Sequence, residues 1–138
     1  MTSLDREVVR RKLAHIAETL EALRPLARLT LTEYLDRLYE RKAAERLLQV
    51  AIEAAVDVST HLVVGLGRPA PVDAYGSVVA LGAAGVLERD LAARLAPATG
   101  LVHGLDDQKV YEALAAALDD LSEFVVQVER FVEGSSPR

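Results

Sequence analysis

Proton transfer near neutral pH has three histidines to draw on in this chain, His15, His61 and His103, and no cysteine thiol. Their settings differ. His15 precedes an apolar Ile16 in an amphipathic stretch, as a partly exposed surface residue would. His61 follows Asp57 by four residues, which puts both on one face of a helix. The two read either as an acid–base or ligand pair or as a hydrogen-bonded brace. Arg46 and Glu53 share that apolar stretch, and a charge there is costly to bury unless paired. The expectation is a polar set of Arg46, Glu53, Asp57 and His61 within an aliphatic core, bridged internally, either bracing that core or lining a cleft. His103 stands in an irregular stretch from Pro97 to Leu105, where an imidazole can be reached and can titrate.

Other chemistries find little support. Gly65-Leu66-Gly67 lacks the Gly, Lys and Ser/Thr that complete a phosphate-cradling loop. Without cysteine there is no disulfide framework and no zinc knuckle, and no metal or cofactor site is expected. The net charge is −5, distributed unevenly: residues 1–50 carry ten Lys/Arg against eight Asp/Glu, and residues 51–138 carry six against thirteen. That balance does not suit a general polyanion binder. Arg6, Arg10, Arg11 and Lys12 form one local basic run, readable as a contact patch or as a solvated helix face.

The elements that must position these residues are helical. Val9, Leu13, Ile16, Leu20 and Leu23 repeat at four and three, which predicts a helix from Leu4 to Arg24 disturbed by Pro25. Thr30 and Glu33 form a capping box that opens a second helical stretch, from Thr32 to Leu66 with a break near Tyr39. Its centre is apolar on most sides, as a bundle interior or dimer seam requires. Gly65 to Pro71 reads as a loop. Short helices are expected at Val72–Ala84, started by Pro71, and at Glu88–Ala96, stopped by Pro97. The last helix begins at Asp106 or Asp107 and carries Val110, Leu114, Ala117, Leu121, Phe124, Val128 and Phe131 in register until Gly134.

Composition agrees with this pattern. The 138 residues include 22 Leu and 22 Ala, both strong helix formers, and 4% aromatics with no Trp. One helical domain over 1–133 and a frayed tail over 134–138 are expected. No run of 18 apolar residues and no signal-peptide core is present, so a cytoplasmic protein without a membrane span is expected.

Several segments together resemble the HepT-like family of the HEPN superfamily. Arg46 to Asp57 with His61-Leu62 resembles its central helix; Arg68-Pro69, Tyr75 and Leu81 to Leu87 resemble the loop and short helix that follow. Leu101-Val102-His103-Gly104 resembles the end of its signature, and Val110 to Leu114 continues into the last helix. The resemblance covers nearly the whole chain. It implies an all-α, HEPN-type antiparallel four-helix bundle with one extra short helix, forming a homodimer whose signature lines the interface cleft. It implies a metal-independent endoribonuclease acting as a toxin, paired with a minimal nucleotidyltransferase antitoxin able to modify a tyrosine just past the signature histidine.

The chemistry fits those residue types. The ribose 2′-OH attacks the adjacent phosphate, a histidine moves the proton, and an arginine grips the phosphate as its charge grows. Carried over, His103 is the acid–base group. The family's arginine position, five before it, holds Ala98; Thr99 replaces the usual Asn, and Leu105 stands where the modified tyrosine would be. Arg94 is the nearest upstream arginine and the candidate clamp, with Thr99, Arg46, Glu53, Asp57, His61 and Arg68 as candidate binding residues. Two readings follow. One is a toxin derived from a ribonuclease but weakened or inactive; the other is a non-catalytic dimeric module that binds a nucleotidyltransferase, RNA or a nucleotide.

Overall fold

A computed structural model describes residues 3–101 and 106–134. Every regular element among them is a helix: α1 Ser3–Ala27, α2 Leu31–Asp36, α3 Leu38–Gly65, α4 Ala74–Ala83, α5 Arg89–Ala98 and α6 Asp107–Gly134. The long helices α1, α3 and α6 pack on one another. The short α4 and α5 pair with each other, α4 also meeting α3 and α5 meeting α6.

The α1 stripe is the clearest link from spacing to packing. Val9, Leu13, Ile16, Leu20 and Leu23 are all buried. The helix runs past Pro25 to Ala27, contrary to the expected end at Arg24. A proline in the last turn forfeits one hydrogen bond, and the turn closes instead through Arg28 N–H to the Pro25 carbonyl at 3.3 Å.

The capping box forms as expected. The Glu33 amide donates to Thr30 Oγ1 at 3.1 Å, and the Thr30 amide donates to Glu33 Oε1 at 2.9 Å. Those bonds and the Arg37 guanidinium hold the Glu33 carboxyl below its ordinary value. The break that follows lies at Arg37, two residues before Tyr39, where the backbone turns extended between α2 and α3.

In α3, Ala44, Leu48, Ala51, Ile52, Ala55, Val58, Leu62 and Val63 are buried. By length and composition alone this helix is apolar enough to cross a membrane. Here its apolar faces are used against α1, α4 and α6, as in a bundle's central helix.

Two further helix ends differ from expectation, the start of α4 and the end of α5. Asp73, not Pro71, starts α4, accepting from the Gly76 amide at 2.7 Å. Gly85, at φ +79°, takes the left-handed turn just after the helix. Pro97 lies inside the last turn of α5, which closes through the Thr99, Gly100 and Leu101 amides reaching back three residues. Asp106 caps α6 through the Lys109 amide at 2.8 Å. Along α6, Val110 to Val128 are buried in register, but Val132 and not Phe131 takes the last buried place. A strict seven-residue pattern drifts by about 20° per heptad on a 3.6-residue helix, so three heptads turn Phe131 about 60° away.

Candidate functional site

The end of α5 carries the described part of the expected signature. Arg94 lies on its outer side, and its Nε sits 3.0 Å from Asp120 Oδ1 on α6. One helical turn later, Ala98 is half-buried against the core, with no polar group to offer. Thr99 is buried, and its hydroxyl donates to the Ala96 carbonyl at 2.7 Å. That bond satisfies the helix end, so the hydroxyl serves the backbone. His103 and Leu105 lie outside the described residues.

The polar set on α3 requires a correction. Arg46, Glu53 and Asp57 are exposed, and His61 is half-buried. They do not brace the aliphatic core. Residues 46, 50, 53 and 57 are spaced four, three and four, so they form the solvent-side stripe of a helix whose other faces are buried. Glu53 accepts from Gln49 Nε2 at 3.0 Å. The expected Asp57–His61 pair does not form. The His61 Nε2 instead faces Asp5 Oδ1 on α1 at 3.7 Å, an ion-pair separation too long for a good hydrogen bond. The reason is geometric: the antiparallel approach of α1 brings a carboxylate from another helix beside the imidazole.

The same approach builds a cleft between α1 and α3 of about 420 Å³. Arg11, Lys12 and His15 line it from α1; Arg46, Glu53 and Asp57 line it from α3. Arg6, at the start of the basic run, is turned inward and buried. Arg68 lies apart from this group, exposed in the turn after α3, where its amide donates to the Val63 carbonyl at 3.1 Å.

A further cluster was not visible in the sequence. Arg41 Nε on α3 lies 3.0 Å from Asp107 Oδ2 at the start of α6, and its Nη1 donates to the Leu35 carbonyl at 2.6 Å. Beside them, the Tyr34 and Tyr111 rings meet at 5.2 Å, and Tyr111 donates to the Leu29 carbonyl at 2.6 Å. The Tyr34 hydroxyl is buried with no hydrogen-bond partner among the described residues. Burial, with Asp107 and Glu45 nearby, pushes its ionisation upward. These contacts fasten the first turn of α6 to α2 and α3. Single aromatics 77 residues apart carry no local signal that they will stack. Among the described residues, no three His, Asp or Glu side chains come together as a metal site would need.

Comparisons with known proteins bear on this arrangement. Residues 16–128 match the family of HepT-like ribonucleases. A tRNA nuclease HepT from Aphanizomenon flos-aquae is 27% identical, covering 96% of this chain and 95% of its own. The fold is similar to a Shewanella oneidensis HEPN toxin, tri-AMPylated and in complex with an MNT antitoxin, at TM-score 0.80 and 16% identity, covering 94% of this chain and 99% of that one. It is similar to a MntA–HpeT toxin–antitoxin complex at TM-score 0.80 and 17% identity, covering 90% and 98%. A cytosolic protein, YutE from Bacillus subtilis, has TM-score 0.76 at 16% identity, covering 97% and 95%.

Proposed function

This chain belongs to the HepT-like family, and from that premise we propose that it is the ribonuclease-derived toxin of a pair with a minimal nucleotidyltransferase antitoxin, with weakened RNA cleavage. The carrying observation is the end of α5. Ala98 stands five residues before His103 and is half-buried, while Arg94, the nearest arginine, is held by Asp120. The relative named a tRNA nuclease supports tRNA as the substrate class. The toxin neighbours in complex with MNT antitoxin support the partner.

In this reading the 2′-OH attacks the neighbouring phosphate and His103 carries the proton. The reaction lacks its arginine clamp. Removing one preorganised donor of this kind costs about 3–4 kcal/mol, or two to three powers of ten in rate. Residual clamping falls to Arg94, once released by Asp120, or to a cation from a second copy of the chain. A homodimer belongs to the proposal. Apolar side chains left exposed around α4, namely Val72, Tyr75 and Val79, support such an association. Leu105 has no hydroxyl, so nucleotidyl transfer to that position is not part of the reading.

The test is cleavage of tRNA by the purified protein, with His103→Ala as control. Slow cleavage that vanishes in the variant is expected. Cleavage equal in both proteins would remove His103 from the reaction. The second reading, a non-catalytic module, is favoured by the same Arg94–Asp120 pair. It requires no His103-dependent cleavage, together with stable capture of a co-expressed minimal nucleotidyltransferase. Light scattering at micromolar concentration checks the dimer, and a monomer there counts against it.

A further inference from the structure

We propose that the cleft between α1 and α3 is a binding site for an RNA strand, whose phosphodiesters meet the cations of both walls and whose ribose or base meets the carboxylates of α3. The proposal rests on the reading of the chain as ribonuclease-derived, and it adds a binding surface to that reading. Four observations carry it.

First, cations converge here in a protein whose overall charge is −5. Arg11 and Lys12 on α1 and Arg46 on α3 line one cleft, with His15 beside them. Second, these cations are available. Among the described residues Arg24, Arg37, Arg41, Lys42 and Arg94 are in ion pairs, whereas Arg11, Lys12 and Arg46 are in none. An arginine not engaged by a carboxylate keeps its fork free for a phosphate.

Third, the cleft is not uniformly basic, and its mixture matches a ribonucleotide better than a simple anion. Glu53 and Asp57 stand one turn apart on the α3 wall. Carboxylates repel a phosphate but accept hydrogen bonds from a ribose 2′-OH or a base amino group. Fourth, Val50 and Ala54 supply apolar surface between the charged residues, and a volume of about 420 Å³ falls within the range of small-ligand clefts. A base can lie on that surface while its phosphates reach the cations.

The experiment measures binding of a fluorescent single-stranded RNA to the full-length His103→Ala protein by anisotropy, at several salt concentrations. Arg11→Glu/Arg46→Glu is expected to weaken binding at least tenfold and to flatten the salt dependence by about two phosphate contacts. Arg130→Glu, on α6 and outside the cleft, should change binding less than twofold. Glu53→Gln/Asp57→Asn should lower the preference for RNA over DNA of the same sequence. Circular dichroism confirms that each variant is folded.

Unchanged RNA affinity in the folded Arg11→Glu/Arg46→Glu protein overturns the site. So does equal tightening of RNA and DNA in Glu53→Gln/Asp57→Asn, since the carboxylates would then act only as repulsion. Competition by inorganic phosphate as effective as that by RNA would reduce the cleft to a free-anion site and overturn it as a strand site. Loss of a co-expressed nucleotidyltransferase, with RNA binding intact, would reassign the cleft to a protein partner. Cleavage by the wild-type protein is scored separately, so failure of the enzymatic reading and failure of this site give different results.

Discussion

The Nε of Arg94 on α5 lies 3.0 Å from the Oδ1 of Asp120 on α6. That pair joins two helices, and it also occupies the arginine nearest upstream of His103 in the sequence. Arg94 is more than half exposed, so the pair contributes at most about 1 kcal/mol to stability. Its effect on chemistry is larger in this reading. Arg94→Ala is expected to lower tRNA cleavage only slightly, because Asp120 already engages the guanidinium. Asp120→Asn is expected to raise His103-dependent cleavage by releasing it, and adding Arg94→Ala should cancel the gain. Initial rates on labelled tRNA decide both.

Ala98 permits a gain-of-function test. Ala98→Arg restores the family's arginine at a half-buried helix-end position, where a long side chain can reach outward. Cleavage is expected to rise at least about tenfold, as a charge partner for the transition state is recovered. The same substitution with His103→Ala should show no gain. If Ala98→Arg folds normally and cleaves no faster, the missing arginine is not what limits the reaction.

Tyr34 yields a stability prediction with a defined sign. Its buried hydroxyl has no partner among the described residues, so Tyr34→Phe removes a desolvated polar group while keeping the ring against Tyr111. The variant is expected to be as stable as the parent or more so, by about 1 kcal/mol. The pH dependence follows from linkage. Burial raises the folded ionisation value above the ordinary 10.0. The unfolded chain therefore loses the phenolic proton first, and stability falls as pH rises from 10 through the folded value. Urea unfolding across that interval should show a smaller loss in Tyr34→Phe than in the parent.

Gly82 tests the contact between the two short helices. A Cβ at this position would meet the Ala92 Cβ at 2.8 Å, closer than such atoms normally approach. Gly82→Ala must push α4 and α5 apart, and a destabilisation of about 1–3 kcal/mol is expected. Thermal unfolding followed by circular dichroism should show a lower midpoint. Because α5 carries Arg94 and Ala98, any residual cleavage should fall with it.

Local patterns were legible where one residue's neighbours along the chain suffice. The α1 stripe, the Thr30–Glu33 capping box and an aspartate cap at 106 or 107 could be read directly, since a helix brings residues three and four apart together whatever else the chain does. Prolines were less informative. Pro25 and Pro97 each suggest a helix end, yet each sits inside a last turn, where the missing N–H costs a single hydrogen bond and few residues remain beyond it to be displaced.

Distant pairings were decided by packing alone. His61 meets Asp5 instead of Asp57, Arg41 meets Asp107, and Tyr34 meets Tyr111 because whole helices dock on their apolar faces and carry polar residues with them. The apolar density of α3 suggested that its charges were interior. Only the orientation set by α1, α4 and α6 put Arg46, Glu53 and Asp57 on the outer side, opposite Arg11 and Lys12. Spacing along a helix specifies which residues share a face. Which face is buried, and what it meets, depends on the area that neighbouring helices remove from water, and that quantity exists only in the assembled bundle.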